Sequence, residues 1–339
     1  MSNLSLRYRL PLTPQRAILI LCSLVILLAI VSLLGISTGS VPISFSHVIG
    51  AFTGGENIPA TERTILLSIR LPRLVLAILV GAGLSVAGVV FQALLRNPLA
   101  EPYILGLSSG GTVGAILAIS LSLGAASITT PVASFIGSAT VMLIVYTIAH
   151  RHGHLDTYTL LLAGVMIGAF FNAAVLLIIA ILNQELRNAF LWLMGNLSNA
   201  NLESIAVVAP LLVIAVLILL FQAKKYNLIA TGDETALQLG IEVIKIKRLS
   251  YLTASLITGL VVSVSGVIGF VGLIIPHICR MLFGPDHRLL LPASILLGAS
   301  FLVIADILSR TLLAPTEIPV GAVTAAIGAP LFVYLLKKT

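Results

Sequence analysis

Charge is what this chain has least of. Only 9% of its 339 residues are charged and 58% are hydrophobic, against roughly a quarter charged and just under half apolar in an ordinary soluble domain. That excludes a soluble globular protein and implies an integral membrane protein. Cysteine is nearly missing. Cys22 and Cys279 both fall in apolar runs, which excludes a disulfide scaffold and fits buried, reduced packing residues. No GxxxxGK[ST] phosphate loop occurs, so the chain supplies no standard ATP site. No Ser-, Gly- or charge-rich linker divides it, so residues 1–339 are expected to form one domain. The net charge of +7 comes without an aromatic-interleaved basic patch, and nucleic-acid binding is not expected.

What is present is a series of apolar runs. They lie near Ala17 to Gly35, Leu71 to Leu95, Tyr103 to Leu123, Thr130 to Ala149, Tyr158 to Leu182, Leu202 to Phe221, Tyr251 to Ile275, Leu289 to Leu308 and Val320 to Leu336. Each is about the length a helix needs to cross a bilayer. The first follows the basic residues Arg7, Arg9 and Arg16 but has no clean small-x-small cleavage site, so it reads as a retained helix. Proline and glycine interrupt the later runs. In lipid, such breaks sit where neighbouring helices or a water-lined cavity satisfy the freed backbone, so the helices are expected to enclose a path. Gly83 to Val89 also resembles Val261 to Val267, as an inverted repeat would.

Four constellations invite chemistry. His150, His152 and His154 alternate in HRHGH, but beside Arg151 at a helix end they read as interfacial charge rather than as metal ligands, and no metal site is expected. Gly106-Leu107-Ser108-Ser109-Gly110 matches GxSxG. That elbow needs a preceding strand, which an apolar helical segment lacks, so catalysis by Ser108 is a remote alternative and small residues for close helix packing are the plainer reading. Asp306 and Glu317 are acids in or beside apolar spans, the feature of an ion-coupled secondary transporter. Arg310 lies one turn from Asp306, however, and a local ion pair accounts for it. Fourth, the polar stretch QAKKYNLIATGDETALQLGIEVIKIKR from Gln222 to Arg248 predicts a short amphipathic helix, capped by Thr231 or Asp233, running through Leu239 and ended by Gly240. Ala236, Leu237 and Leu239 give it an apolar surface that a solvated connector does not need. The turn Arg96-Asn97-Pro98-Leu99-Ala100-Glu101-Pro102 must bend sharply, because each proline restricts the residue before it.

The blocks RLPRLVLAILVGAG, RNPLAEPYILGLSSGG, GFVGLIIPHICR, DHRLLLP, LGASFLVIADILSR and PTEIPVGAVTAAIGAP, in order from about Leu67 to Leu336, resemble the FecCD-type permease subunits of ABC importers for iron-siderophores, haem and vitamin B12. The resemblance implies an all-α fold of ten transmembrane helices, the type II ABC importer permease architecture. The tenth span is expected between Tyr251 and Phe283, with a junction at Gly269 to Gly272. With both termini cytoplasmic, all of the 19 Lys and Arg except Arg63, Arg70, Arg73, Arg187 and Arg310 fall on the inner side, the bias that the positive-inside rule requires.

The resemblance further implies a homodimer in the bacterial inner membrane, two ATP-binding cassette subunits that carry ATP and Mg, and a periplasmic or lipid-anchored substrate-binding protein. On the same resemblance the chain itself is expected to bind no cofactor and to be no enzyme. By resemblance, Gly232, Glu234, Ala236, Leu239 and Gly240 match the loop that docks on the ATPase, and Asn97, Leu99, Thr157 and Tyr158 match the cytoplasmic gate. Tyr158 is bulkier than the small polar residue of the cobalamin members. Arg70, Arg73 and Arg310 match positions that receive acids of the binding protein. Arg70 and Arg73 have no acid nearer in sequence than Glu62, so external partners are expected for them.

Overall fold

A computed structural model describes residues 13–39, 41, 43–53, 58–121, 128–151, 154–181 and 192–338; Arg7, Arg9, His152 and Arg187 lie outside these. Helix α1 (Pro14–Ser37) starts at Thr13, whose hydroxyl accepts from the Arg16 amide at 3.4 Å, a side-chain cap of the usual kind. Helix α2 (Phe45–Thr53) is a short element that hydropathy does not signal. Helix α3 (Ala60–Leu95) is the longest and the most buried span.

Within α3, Ile65–Arg70 form a π-helical turn. Pro72 follows two residues later, and its ring and missing N–H disfavour a regular α-turn at that point. Past Arg96 the chain makes a 3₁₀ turn (Pro102–Leu105) and enters α4 (Leu107–Ser120) and α5 (Thr129–Ala149). A two-rung antiparallel hairpin, β1 (His150–Arg151) with β2 (His154–Leu155), then leads to α6 (Thr157–Ile181). After α7 (Leu202–Phe221) come two short helices, α8 (Ala223–Ala230) and α9 (Asp233–Gln238). The chain closes with α10 (Val243–Ser265), α11 (Val271–Phe283), α12 (His287–Thr311) and α13 (Val320–Lys338).

Seven of these helices are long and apolar enough to cross a membrane. With the shorter apolar helices α4, α11 and α13 they make ten among the described residues. The protein is therefore an all-α, multi-pass membrane protein. The extra span does come from a break after Tyr251, but at Gly266–Phe270 rather than at Gly269 to Gly272: Gly266 has φ 67° and Phe270 φ 68°, while Val271 and Gly272 are already helical. The run from Tyr103 also starts late, because Pro102 and Gly106 hold its first residues in a 3₁₀ turn. Cys279 is buried as expected, whereas Cys22 is exposed on the flank of α1.

Helix α3 is the hub against which α10, α11 and α12 pack. Its small residues permit this: a Cβ on Gly88 would run into the Gly272 carbonyl, and one on Gly81 into the Gly298 carbonyl. Without a hydrophobic drive between helices in lipid, such backbone approach supplies the packing. Gly83 of α3 faces Val261 of α10, so the two segments that resemble one another in sequence lie against each other.

Candidate functional site

Two polar clusters sit at opposite ends of the helix bundle. At the end where α3 stops, Arg96 adopts the left-handed conformation (φ 47°, ψ 35°), which costs a non-glycine residue about 1–2 kcal/mol. The chain then turns: Asn97 Oδ1 accepts from the Leu99 amide at 2.9 Å, and Ala100 N–H donates to Asn97 O at 3.0 Å. Leu99 is exposed. The second expected gate element begins α6, where Asp156 accepts from the Thr159 amide at 2.7 Å, and it presents Tyr158 as a largely exposed ring.

The expected short helix is α9, with two differences. Gly232 (φ 127°) occupies the N-cap instead of Thr231 or Asp233. Thr231 spends its hydroxyl on Leu228 O, and both Asp233 oxygens are taken by cations of other elements. Ala236 is fully buried, so it anchors the helix and adds nothing to its outer face; Leu237 and Leu239 supply that face, 55% and 59% exposed. The C-terminus is as expected. Gly240 (φ 80°) donates to Leu237 O at 2.9 Å and Ile241 donates to Ala236 O at 3.0 Å, the paired bonds of a Schellman cap. Glu234 is exposed.

This polar segment is moored on both sides. Asp233 pairs with Arg96 at the end of α3 and with Lys247 of α10, the latter at 2.6 Å. Asn227 of α8 donates to Asp286 at 2.8 Å, and its Oδ1 accepts from the His287 amide at 2.8 Å. Asp286 caps α12, and its hydrogen bonds to Arg288, helped by Asn227, hold its carboxyl down at about 2, so it stays ionised across the physiological range.

Two further residues tie the turn to the α10–α11 break. Glu101 Oε1 accepts from the Phe270 amide at 2.6 Å, and Tyr103 Oη accepts from the Ile268 amide at 3.2 Å. Gln92 adds bonds to Leu273 O at 3.3 Å and from Arg280 at 2.9 Å. These contacts join positions more than 150 residues apart, and nothing in the local sequence announces them.

At the other end, Arg70 and Arg73, for which external partners are expected from sequence, have partners within the chain. Arg73 Nε donates to Asp306 at 2.7 Å and its Nη1 to Glu317 at 2.8 Å. Arg310 Nε lies 3.0 Å from the second Asp306 oxygen, the i, i+4 pair expected from sequence, and also donates to Thr38 O and Gly35 O. Arg70 donates to the carbonyls of Ile36, Ser37 and Val41. All three arginines are buried. Glu317, half-exposed between α12 and α13, also accepts from Ser198 at 2.8 Å. Burial pushes its carboxyl up, but the Arg73 hydrogen bond and charge outweigh this and leave it below the usual range. A proton carrier working near neutrality needs the opposite shift.

Parts of two other constellations lie among the described residues. Ser108 is in the first turn of α4 after a 3₁₀ turn, not after a strand, and Gly106 lies against Gly164 and Gly168 of α6. His150 stacks on Tyr146 with ring centroids 5.4 Å apart.

A bundle of ten apolar helices, broken at α10–α11, with a capped polar segment moored at one end and an arginine–carboxylate brace at the other, defines a membrane permease. The chain belongs to the FecCD transport family, whose model matches residues 26–338. It is 42% identical over 321 residues to the uncharacterized ABC transporter permease protein YvrB of Bacillus subtilis, covering 92% of this chain and 91% of that one. It is 44% identical over 280 residues to the cobalamin import system permease protein BtuC of Halobacterium salinarum (83% and 75%) and 42% over 325 residues to the hemin transport system permease protein HmuU of Yersinia pestis (94% and 96%). The fold superposes on a structure described as a metal-chelate type ABC transporter in an inward-facing conformation, with a TM-score of 0.84, 31% identity and 94% and 99% coverage. It is a permease subunit of an ABC importer, a transport component.

Proposed function

We propose that the chain pairs with a second copy around a central path, is driven by two ATPase subunits at the α9 end and is fed by a binding protein at the opposite face. Permeases of this family named for cobalamin, hemin and iron(3+)-hydroxamate support a cargo that is an iron chelate, haem or a corrinoid. The α9 end is cytoplasmic on the distribution of Lys and Arg, with both termini on that side. The observation that carries this reading is α9: a capped, moored helix that turns Leu237 and Leu239 outward is built to be covered. Leu239, Glu234 and the Gly232 and Gly240 caps form the docking element, with Ala236 as its internal anchor. Asn97, Leu99, Thr157 and Tyr158 close the path on the same side.

For the binding protein, the receiving face is the one around Glu317 and Ser198. Arg70, Arg73 and Arg310 brace that face from beneath, so reversing an arginine there reads stability before it reads docking. The ion-coupled alternative is disfavoured because Asp306 and Glu317 are held in ion pairs.

Placing cysteine at Leu99 in the assembled transporter tests the gate. Labelling by a cytoplasmic thiol reagent is expected to differ between the nucleotide-free and ATP-bound states. Equal labelling in every nucleotide state removes the turn from the gate.

A further inference from the structure

We infer that Asp233 is a positioning residue that couples α9 to the gate turn: one carboxylate holds Arg96, the first residue of that turn, and Lys247 of α10 at once. The inference rests on the reading of α9 as the ATPase-docking helix. Three observations carry it. Both Asp233 oxygens go to other elements, Oδ1 to Arg96 and Oδ2 to Lys247, and the α9 N-cap is left to Gly232. Asp233 therefore does not cap its own helix. Lys247 is only 7% exposed, and Asp233 is the one ion-pair partner it has among the described residues. A buried ammonium needs its counter-charge, so Asp233 is pinned in place. Arg96 is one of two non-glycine residues with positive φ among the described residues. Such strain persists where the surroundings impose it and clusters at switch regions.

The Arg96 pair is partly exposed and contributes little to stability. Its value lies in geometry. Arg96 is bonded through the chain to Asn97, whose side chain shapes the turn at Leu99, so a push on α9 passes through one carboxylate to the gate. A simple cap or a surface ion pair predicts no such transmission.

The test uses the complete transporter in proteoliposomes, with Leu99→Cys as reporter. Asp233→Asn and Arg96→Gln should both retain the ATPase subunits and hydrolyse ATP, yet lose the nucleotide response of the reporter, and uptake should fall about tenfold, the scale of a typical coupling term. Asp233→Glu should restore most of both. Arg96→Gln leaves the Lys247 pair intact, so it decides the matter even if Asp233→Asn disturbs folding. A reporter that still responds to ATP in Arg96→Gln overturns the proposal. If that happens while Leu239→Asp abolishes ATPase retention, the docking reading stands and only the Asp233 link fails. If Leu239→Asp also leaves retention unchanged, the docking reading falls and the link falls with it.

Discussion

Leu239→Asp should leave the protein inserted and folded while releasing the ATPase subunits. The side chain is exposed and lies beyond the last turn of α9, where it takes no part in the Schellman cap except through its backbone. Nothing inside the bundle depends on it. In a docked complex it would be buried; losing a leucine and burying an unpaired carboxylate costs about 3 kcal/mol or more, on the order of a hundredfold in affinity. Retention of purified ATPase subunits on the permease in nanodiscs reads the loss, and the elution volume of the permease alone confirms the fold. Wild-type retention would remove α9 from the interface.

The second large effect is expected at the opposite end. Asp306 is 2% exposed and shared by Arg73 and Arg310. Asp306→Ala leaves two buried guanidiniums short of their counter-ion and should destabilise the protein by about 3–5 kcal/mol. Glu317→Ala removes a half-exposed partner and should cost under about 1 kcal/mol. Chemical unfolding in lipid vesicles compares the two. The sign with pH follows from Glu317: its carboxyl is depressed in the folded state, so its contribution is present at neutral pH and is lost only as pH falls through that lowered value. Equal effects of the two alanine variants would contradict the brace. If Asp306 were instead a proton site, Asp306→Asn would abolish uptake at unchanged abundance; the brace predicts uptake that follows the amount of folded protein.

The parts of this architecture that are local in sequence are legible there. Apolar runs mark most of the spans, Gly240 announces the end of α9, and Asp306 with Arg310 shows its pair through i, i+4 spacing. The parts set by packing are not. Arg73 meets Asp306 across 233 positions, so counting acids near RLPR finds only Glu62 and suggests an external partner. Ala236 reads as surface by type, but its side of α9 faces the bundle. Asp233 reads as a cap because Asp is a good cap, yet two cations placed by α3 and α10 outbid the helix for it. Glu101 and Tyr103, which hold the α10–α11 break, lie in a block that resembles the family, but the block does not name their partners, which are backbone amides freed by a break whose position depends on Phe270 adopting φ 68°.

The most direct measurement is uptake into proteoliposomes that hold the permease with its ATPase subunits, supplied with the substrate-loaded binding protein, using a ferric hydroxamate, haemin and cobalamin as probes. The account predicts accumulation of one of these that requires ATP inside the assembled complex and is unaffected by dissipating the pH gradient. Accumulation driven by a pH gradient in permease-only vesicles, without ATP or partner subunits, would contradict it.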